Sequence, residues 1–148
     1  MKKIAAMFLV CFYLFAGAVY AQVKNIPASV TNAFKTKYPL VGHVSWIKDG
    51  NGYAARFYTN GEPSTVRFNN NGDWLDETKK VSFGDLRSNV KNAFSQSKFA
   101  SWQAYEVNEI QEKNKEKQYR ILIRNREEKG RYIYFDMKGQ IMREVLTM

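Results

Sequence analysis

The sequence predicts an α+β protein made of two tandem repeats, each one helix followed by a four-stranded antiparallel meander, with the helices on one face of the sheet. Three observations predict it. The stretch "IPASVTNAF" (Ile26 to Phe34) lies over "LRSNVKNAF" (Leu86 to Phe94) at an offset of 60, with Val30/Val90, Asn32/Asn92, Ala33/Ala93 and Phe34/Phe94 identical. After each stretch the apolar period changes from 3.6 to 2, the mark of a helix giving way to strands. The last hairpin of each half also matches, Phe68 over Phe135, Gly72 over Gly139 and Leu75 over Met142, at an offset of 67.

The first 21 residues stand outside this plan. Lys2 and Lys3 precede an apolar run, Ile4 to Val19, and "VYA" puts Val19 and Ala21 where signal peptidase reads small or apolar residues. A signal peptide over residues 1–21, cleaved after Ala21, is expected; an uncleaved anchor is the alternative, because the run approaches the roughly 20 residues of a spanning helix. The only cysteine, Cys11, lies inside the run, so no lipid-attachment box is visible. Removing 21 of 148 residues leaves 127 without a thiol, which rules out disulfides and thiol catalysis in the mature chain. The expected location is periplasmic or secreted, with no membrane span after cleavage.

The first repeat, residues 22–80, opens with a helix whose apolar stripe is Ile26, Val30, Ala33, Phe34 and Tyr38. Pro27 suits its first turn, and Pro39 ends it by disfavouring helix at Tyr38. Four strands follow, "HVSWIKD", "YAARFYT", "STVRFNN" and "DWLDETKKV", and "VSFGD" links to the second repeat, residues 81–148. There Leu86, Val90, Ala93 and Phe94 form the helical stripe, with Ser82 or Asp85 as candidate caps. The strands are "WQAYEVNEI", "QYRILIRN", "RYIYFDM" and "QIMREVLTM"; the charged "QEKNKEK" is a longer hairpin tip that accounts for the changed offset. Repeats of this size are marginal alone, so the two are expected to share an interface or continue one sheet.

Few residues suggest catalysis. "NNNGD" (Asn69 to Asp73) has the alternating oxygens and glycine of a calcium loop, but its counterpart "DMKGQ" places Met137 and Lys138 over Asn70 and Asn71. The shared element is a glycine between two strands, so the loop reads as a hairpin tip. His43 is the only histidine and is read as a partly exposed strand residue. Asp76 with Glu77, or Glu127 with Glu128, are adjacent carboxylates, and adjacent strand residues point to opposite faces. No glycine-rich phosphate loop is present. The reading is therefore a non-enzyme with no catalytic residues, no metal site and no cofactor.

Aromatic and arginine side chains on the polar faces of the strands carry the functional expectation. Trp46, Tyr58, Trp74, Trp102, Tyr105, Arg56 and Arg67 are the candidate partner-binding residues, and Tyr132, Tyr134, Arg120 and Arg124 share the pattern. Trp, Tyr and Arg bury much area with few rotatable bonds and dominate interface hot spots. Packing between the repeats or ordinary cross-strand pairing remains the competing account. Without Lys2 and Lys3 the chain has 21 basic and 14 acidic residues, a net charge of +7. That balance, with 17 of the 22 aromatics beyond Ala21, would suit nucleic acid inside a cell; export argues against nucleic acid.

"IPASVTNAFKTKYPLVGHVSWIKDGNGYAARFYTNGEPSTVRFNNNGDWLDE", Ile26 to Glu77, resembles the PepSY-like repeat of exported bacterial proteins. The shared pattern is a proline-led helix, "AF..KYP", a "V.W" strand and "F...G.W". The second copy keeps "VKNAF" and "YFDMKGQI" but lacks "KYP" and the "V.W" tryptophan, so its assignment rests on the internal repeat. The family is similar in architecture to the beta-lactamase-inhibitor protein fold, in which two helix-plus-sheet units form a concave surface. The resemblance implies an exported module that binds or inhibits a protein or peptide through the open sheet face, and it supplies no catalytic residues. The alternative is a basic adhesion module for acidic envelope polymers or nucleic acid.

Overall fold

The computed structural model describes residues 25–125 and 130–147. The signal peptide with its expected cleavage after Ala21, and the Glu127/Glu128 pair, lie outside the described residues. In chain order the elements are α1 (Ala28–Lys37), β1 (Ser45–Asp49), β2 (Gly52–Thr59), β3 (Glu62–Asn69), β4 (Trp74–Val81), a single 3-10 turn (Phe83–Asp85), α2 (Ser88–Ser95), β5 (Gln103–Glu112), β6 (Gln118–Arg124), β7 (Arg131–Asp136) and β8 (Ile141–Leu146).

The strands form one eight-stranded antiparallel sheet in the order β1 to β8, where the sequence suggested two four-stranded meanders. The join is the pairing of β4 with β5, from Asp76 opposite Glu112 to Val81 opposite Val107. Two separate sheets would have left β4 and β5 as edges with unpaired N–H and C=O groups; pairing them satisfies both. Directly opposite residues in such a ladder point to the same side. Val66 stands opposite Glu77 and Glu77 opposite Gln111. Val81 stands opposite Val107, then Ile121, then Ile133. These residues therefore share one face, and both helices pack on it.

Each helix covers its own half of that face. On α1, Val30 and Phe34 are buried against Trp46, Ala55, Phe57, Val66 and Phe68. The Phe34 ring meets Trp46 and Phe57 edge-on at 5.3 Å and Phe68 at 6.5 Å, the arrangement that ring quadrupoles favour. On α2, Val90 and Phe94 cover Val107, Tyr119, Ile121, Ile123, Ile133 and Phe135. Burying one such phenylalanine is worth about 2–3 kcal/mol, so each short helix is held by packing more than by propensity.

The helix ends differ in detail from the sequence reading. Pro27 occupies the cap of α1, and its carbonyl accepts from the N–H groups of Val30 and Thr31. Arg87, and neither Ser82 nor Asp85, precedes α2; Ser82 Oγ instead donates to Asp85 across the 3-10 turn at 2.8 Å. His43 lies in the loop before β1 and is exposed.

The two glycine hairpins clamp the helix starts. Asn69 Oδ1 accepts from the backbone N–H of Asn71 and Asp73 at 3.0 and 2.9 Å. Asp136 Oδ1 accepts in the same way from Lys138 and Gln140, at 2.9 and 2.8 Å. These side chains close their own turns, which is the work expected of Asx residues at a tip. Each tip then touches a helix: Ser29 Oγ donates to the Asn70 carbonyl at 3.2 Å, and Asn89 Nδ2 to the Met137 carbonyl at 2.9 Å. Gly72 and Gly139 have φ of +88° and +90°, and a Cβ there would lie 2.5 Å from the Ser29 carbonyl oxygen and 2.7 Å from that of Asn89.

Gly72→Ala is expected to cost about 2 kcal/mol or more, from left-handed strain together with the clash. Gly61, also left-handed at φ +82° but with open space around it, should suffer only the strain. Urea unfolding of the two variants checks this: equal losses would show that the contact with α1 contributes nothing.

Candidate functional site

The face opposite the helices runs uninterrupted across eight strands. It carries Arg56 and Tyr58 on β2, Arg67 on β3, Asp76, Thr78 and Lys80 on β4, and Asn108 and Glu112 on β5. It continues with Arg120 and Leu122 on β6, Tyr132 and Tyr134 on β7, and Arg143 and Val145 on β8. Side chains far apart on it reach one another. Arg67 bonds Asp76 on the adjacent strand through Nε at 2.8 Å and through Nη2, and its other arm lies 3.5 Å from Asp49 on β1, two strands away. Ala54 is the small residue between them on β2. Glu112 on β5 interacts electrostatically with Arg143 on β8. Ala54, Asp76, Asn108, Gln118 and Tyr134 are buried although no helix covers them. All of this describes a face that curls inward.

Of the seven candidate residues, four lie on this face. Tyr58, 73% exposed, stands opposite Pro63 near the β2–β3 turn. Tyr105, 56% exposed, is the extra residue of a bulge in β5, with the Arg124 guanidinium 5.3 Å from its ring centre. Arg56 and Arg67 complete the set. The three tryptophans do not belong to it. Trp46 is only 8% exposed and lies in the core under Phe34, because its partner Ala55 shares a face with Val66. Trp74 reaches the helix face through a bulge that sets it opposite Phe68, and the Lys37 ammonium lies 4.7 Å from its ring centre. Trp102 packs edge-on against Phe99 at 5.3 Å beside the second core. Parity could have placed Trp46, which alternates with Val44; the bulge that turns Trp74 has no signature in the sequence.

A second feature escaped the sequence reading. Between the two covered halves the helix face is polar, and a depression of about 410 Å³ is lined by Lys37, Trp74, Glu77, Lys79, Glu109, Gln111 and Lys117. Its signal was present in the charged residues at the helix-facing positions of β4 and β5. Tyr38, at the end of α1, donates its hydroxyl to Glu77 at 2.9 Å. Burial and then the Glu77 carboxylate push the Tyr38 hydroxyl well above the usual tyrosine range. The Trp74 indole N–H faces that hydroxyl and opposes the shift slightly, without forming a well-aligned hydrogen bond. Asp76 and Glu77 thus serve opposite faces, one holding Arg67 and the other Tyr38. Among the described residues, no group of three or more His, Cys, Asp or Glu side chains is placed to hold a metal ion. No described helix is long and apolar enough to cross a membrane.

Residues 51–143 match the sequence profile of a family described as "Putative beta-lactamase-inhibitor-like, PepSY-like". No curated protein matches the chain at a significant level. Among solved structures, a DUF2874 family protein from Bacteroides ovatus is similar at 25% identity, with a TM-score of 0.79 over 84% of this chain and 89% of the other. A "putative periplasmic" protein from Bacteroides eggerthii is similar at 25% identity, with a TM-score of 0.78 over 82% and 89%. A BLIP-like protein from Bacteroides fragilis shares the fold at 22% identity, with a TM-score of 0.77 over 82% and 86%.

Trp46→Ala should destabilise the protein by about 3–5 kcal/mol, whereas Tyr58→Ala should change stability by less than about 0.5 kcal/mol. Chemical denaturation separates the two, and a fully stable Trp46→Ala protein would contradict the core position. Tyr38 supplies a pH test. Its folded pKa is raised, so the stability it contributes is present below pH 10, the unfolded value, and is lost as pH rises towards the folded value. The gap in melting temperature between the native protein and Tyr38→Phe should narrow above pH 10; a constant gap from pH 8 to 11 would refute it.

Proposed function

The chain belongs to the PepSY-like family, described as beta-lactamase-inhibitor-like, and on that premise we propose that it is an exported, non-enzymatic module that binds or inhibits a protein or peptide through its open sheet face. The observation that carries the proposal is the eight-stranded face left without a helix, presenting Tyr58, Tyr105, Arg56 and Arg67. Large side chains with few rotatable bonds on a pre-formed backbone lose little entropy on binding, the economy on which hot spots depend. An inward-curling sheet can grip a convex loop from two sides, as a flat one cannot.

The matching hairpin clamps support reading residues 22–80 and 81–148 as two copies of one unit. The N-terminal apolar run supports removal of residues 1–21 and a periplasmic or secreted location. A second reading, adhesion to acidic envelope polymers or nucleic acid, is favoured only by the net charge of +7 that remains without Lys2 and Lys3.

Photo-cross-linking residues at Tyr58 and Tyr105, with Lys35 and Asn92 on the helices as controls, test the proposal in the native envelope. A discrete protein adduct from the open-face positions alone is the expected result. Adducts from the helix positions alone would transfer the function to the other side of the molecule. Binding that collapses between low and moderate salt, with no discrete adduct, would favour adhesion.

A further inference from the structure

We infer that the β5–β8 half of the open face receives an acidic segment of the protein partner, whose carboxylates are held by Arg120, Arg124 and Arg143 on a shelf formed by Tyr105, Tyr132 and Tyr134. The inference rests on the binding role proposed above and adds the chemistry of the partner.

Three guanidinium groups on this half lie over tyrosine rings. Arg143 Cζ is 3.8 Å from the Tyr134 ring centre, Arg120 Cζ 5.0 Å from that of Tyr132, and Arg124 Cζ 5.3 Å from that of Tyr105. Cross-strand register aligns them. Lys80 stands opposite Asn108, Asn108 opposite Arg120, Arg120 opposite Tyr134, and Tyr134 opposite Arg143, a single row over five strands with three cations in it. A guanidinium resting on an aromatic ring is oriented by it, yet its N–H edge stays available for two parallel bonds to a carboxylate. The ring thus removes part of the entropy that an arginine would otherwise lose on binding.

The two halves of the face differ in how their charge is used. In the first, Arg67 is committed to Asp76 and Asp49. In the second, Glu106, Glu112 and Asp136 each bond a neighbour other than these arginines. Glu106 accepts from Asn108 at 2.6 Å and comes only within 3.9 Å of Arg120, while Glu112 is bonded to Lys115 and to Gln118. Asp136 is spent on its turn. Arg120 has a long ion pair with Glu106 and Arg143 feels Glu112 at longer range, but among the described residues neither Arg143 nor Arg124 forms a close ion pair, so their charge is available to a ligand.

A protein segment fits better than a polyanion. Glu106 and Glu112 flank the positive row on β5, so a continuous chain of phosphates or uronates that ran past it would meet repulsion where separate side-chain carboxylates need not. In the next row, beyond Glu106 on β5, Leu122, Tyr132 and Val145 form an apolar strip beside the charged one. Arg120 and Arg143 are two strands apart, roughly 10 Å, which is also about the rise of one three-residue turn of a polyproline II segment, in which residues i and i+3 point the same way. A segment with acidic residues at every third position and apolar ones between would meet both rows.

The probe is a fluorescein-labelled nonapeptide with glutamate at every third position and leucine between, titrated against the purified protein by anisotropy. Saturable binding is expected, weakened about ten-fold or more by Arg143→Gln, a change on an exposed edge strand that should leave the fold intact. Arg143→Lys keeps the charge without the planar fork and should fall between. Lys35→Gln with Lys37→Gln removes more charge from α1 and should alter binding by less than about two-fold. The inference is overturned if the glutamine version of the peptide binds equally or if the α1 variant loses as much as Arg143→Gln. It is also overturned if a single-stranded DNA nonamer displaces the peptide at lower concentration than unlabelled peptide does. Open-face cross-links to a partner that the peptide does not compete away would likewise overturn it, while leaving the binding role standing.

Discussion

The pairing of β4 with β5 is the constraint on which the rest of the molecule depends, because six residue pairs from Asp76↔Glu112 to Val81↔Val107 fix the two halves as one sheet. An antiparallel ladder carries side-chain direction from strand to strand without ambiguity. Once β4 and β5 are joined, Val66 and Ile133 must look the same way, and α1 and α2 must lie on the same side. The opposite face then carries no helix among the described residues. A slip of one residue at this seam would turn the second core outward and close half of the open face.

The seam has its own chemistry. Neither helix reaches over it, so Glu77, Lys79, Glu109 and Gln111 occupy helix-facing positions that would otherwise need apolar residues. Lys117 bonds Glu109 at 2.7 Å and Tyr38 bonds Glu77, so both carboxylates of the strip have a partner where the helices stop. The polar strip divides the hydrophobic interior into two clusters with no buried residue in common. Each cluster is anchored by a phenylalanine of its helix, Phe34 or Phe94, and bounded by a glycine tip pressed against the helix start. Those contacts fix the position of each helix, and the open face stays clear of them.

Much of the fold was legible because it depends on local periodicity. The 3.6-residue stripe of Val30 and Phe34, repeated by Val90 and Phe94, located both helices, and the matched glycines located both last hairpins. The open face was legible only in part. Tyr58, Tyr105, Arg56 and Arg67 lie on it, but Trp46, Trp74 and Trp102 were grouped with them through their residue type, and type says nothing about the side of a strand. Trp46 follows simple alternation into the core. Trp74 is turned inward by the irregularity at Arg67 and Phe68, where two residues of β4 oppose one of β3. The pairing of Arg143 with Tyr134 has no sequence signature, because Tyr134 lies nine positions earlier and only the β7–β8 register brings it beneath.

The sequence by itself determined that the chain is α+β, that its pattern occurs twice, that "NNNGD" is a hairpin tip, and that the chain resembles an exported binding family. These follow from spacing and backbone preference, which act over a few residues. The tertiary structure decided that the halves continue one sheet, that the tryptophans lie off the open face, and that arginines and tyrosines meet in a row across β6, β7 and β8. Each of those outcomes is set by hydrogen-bonded register between distant strands, and a bulge of one residue is enough to reverse the side on which a ring emerges.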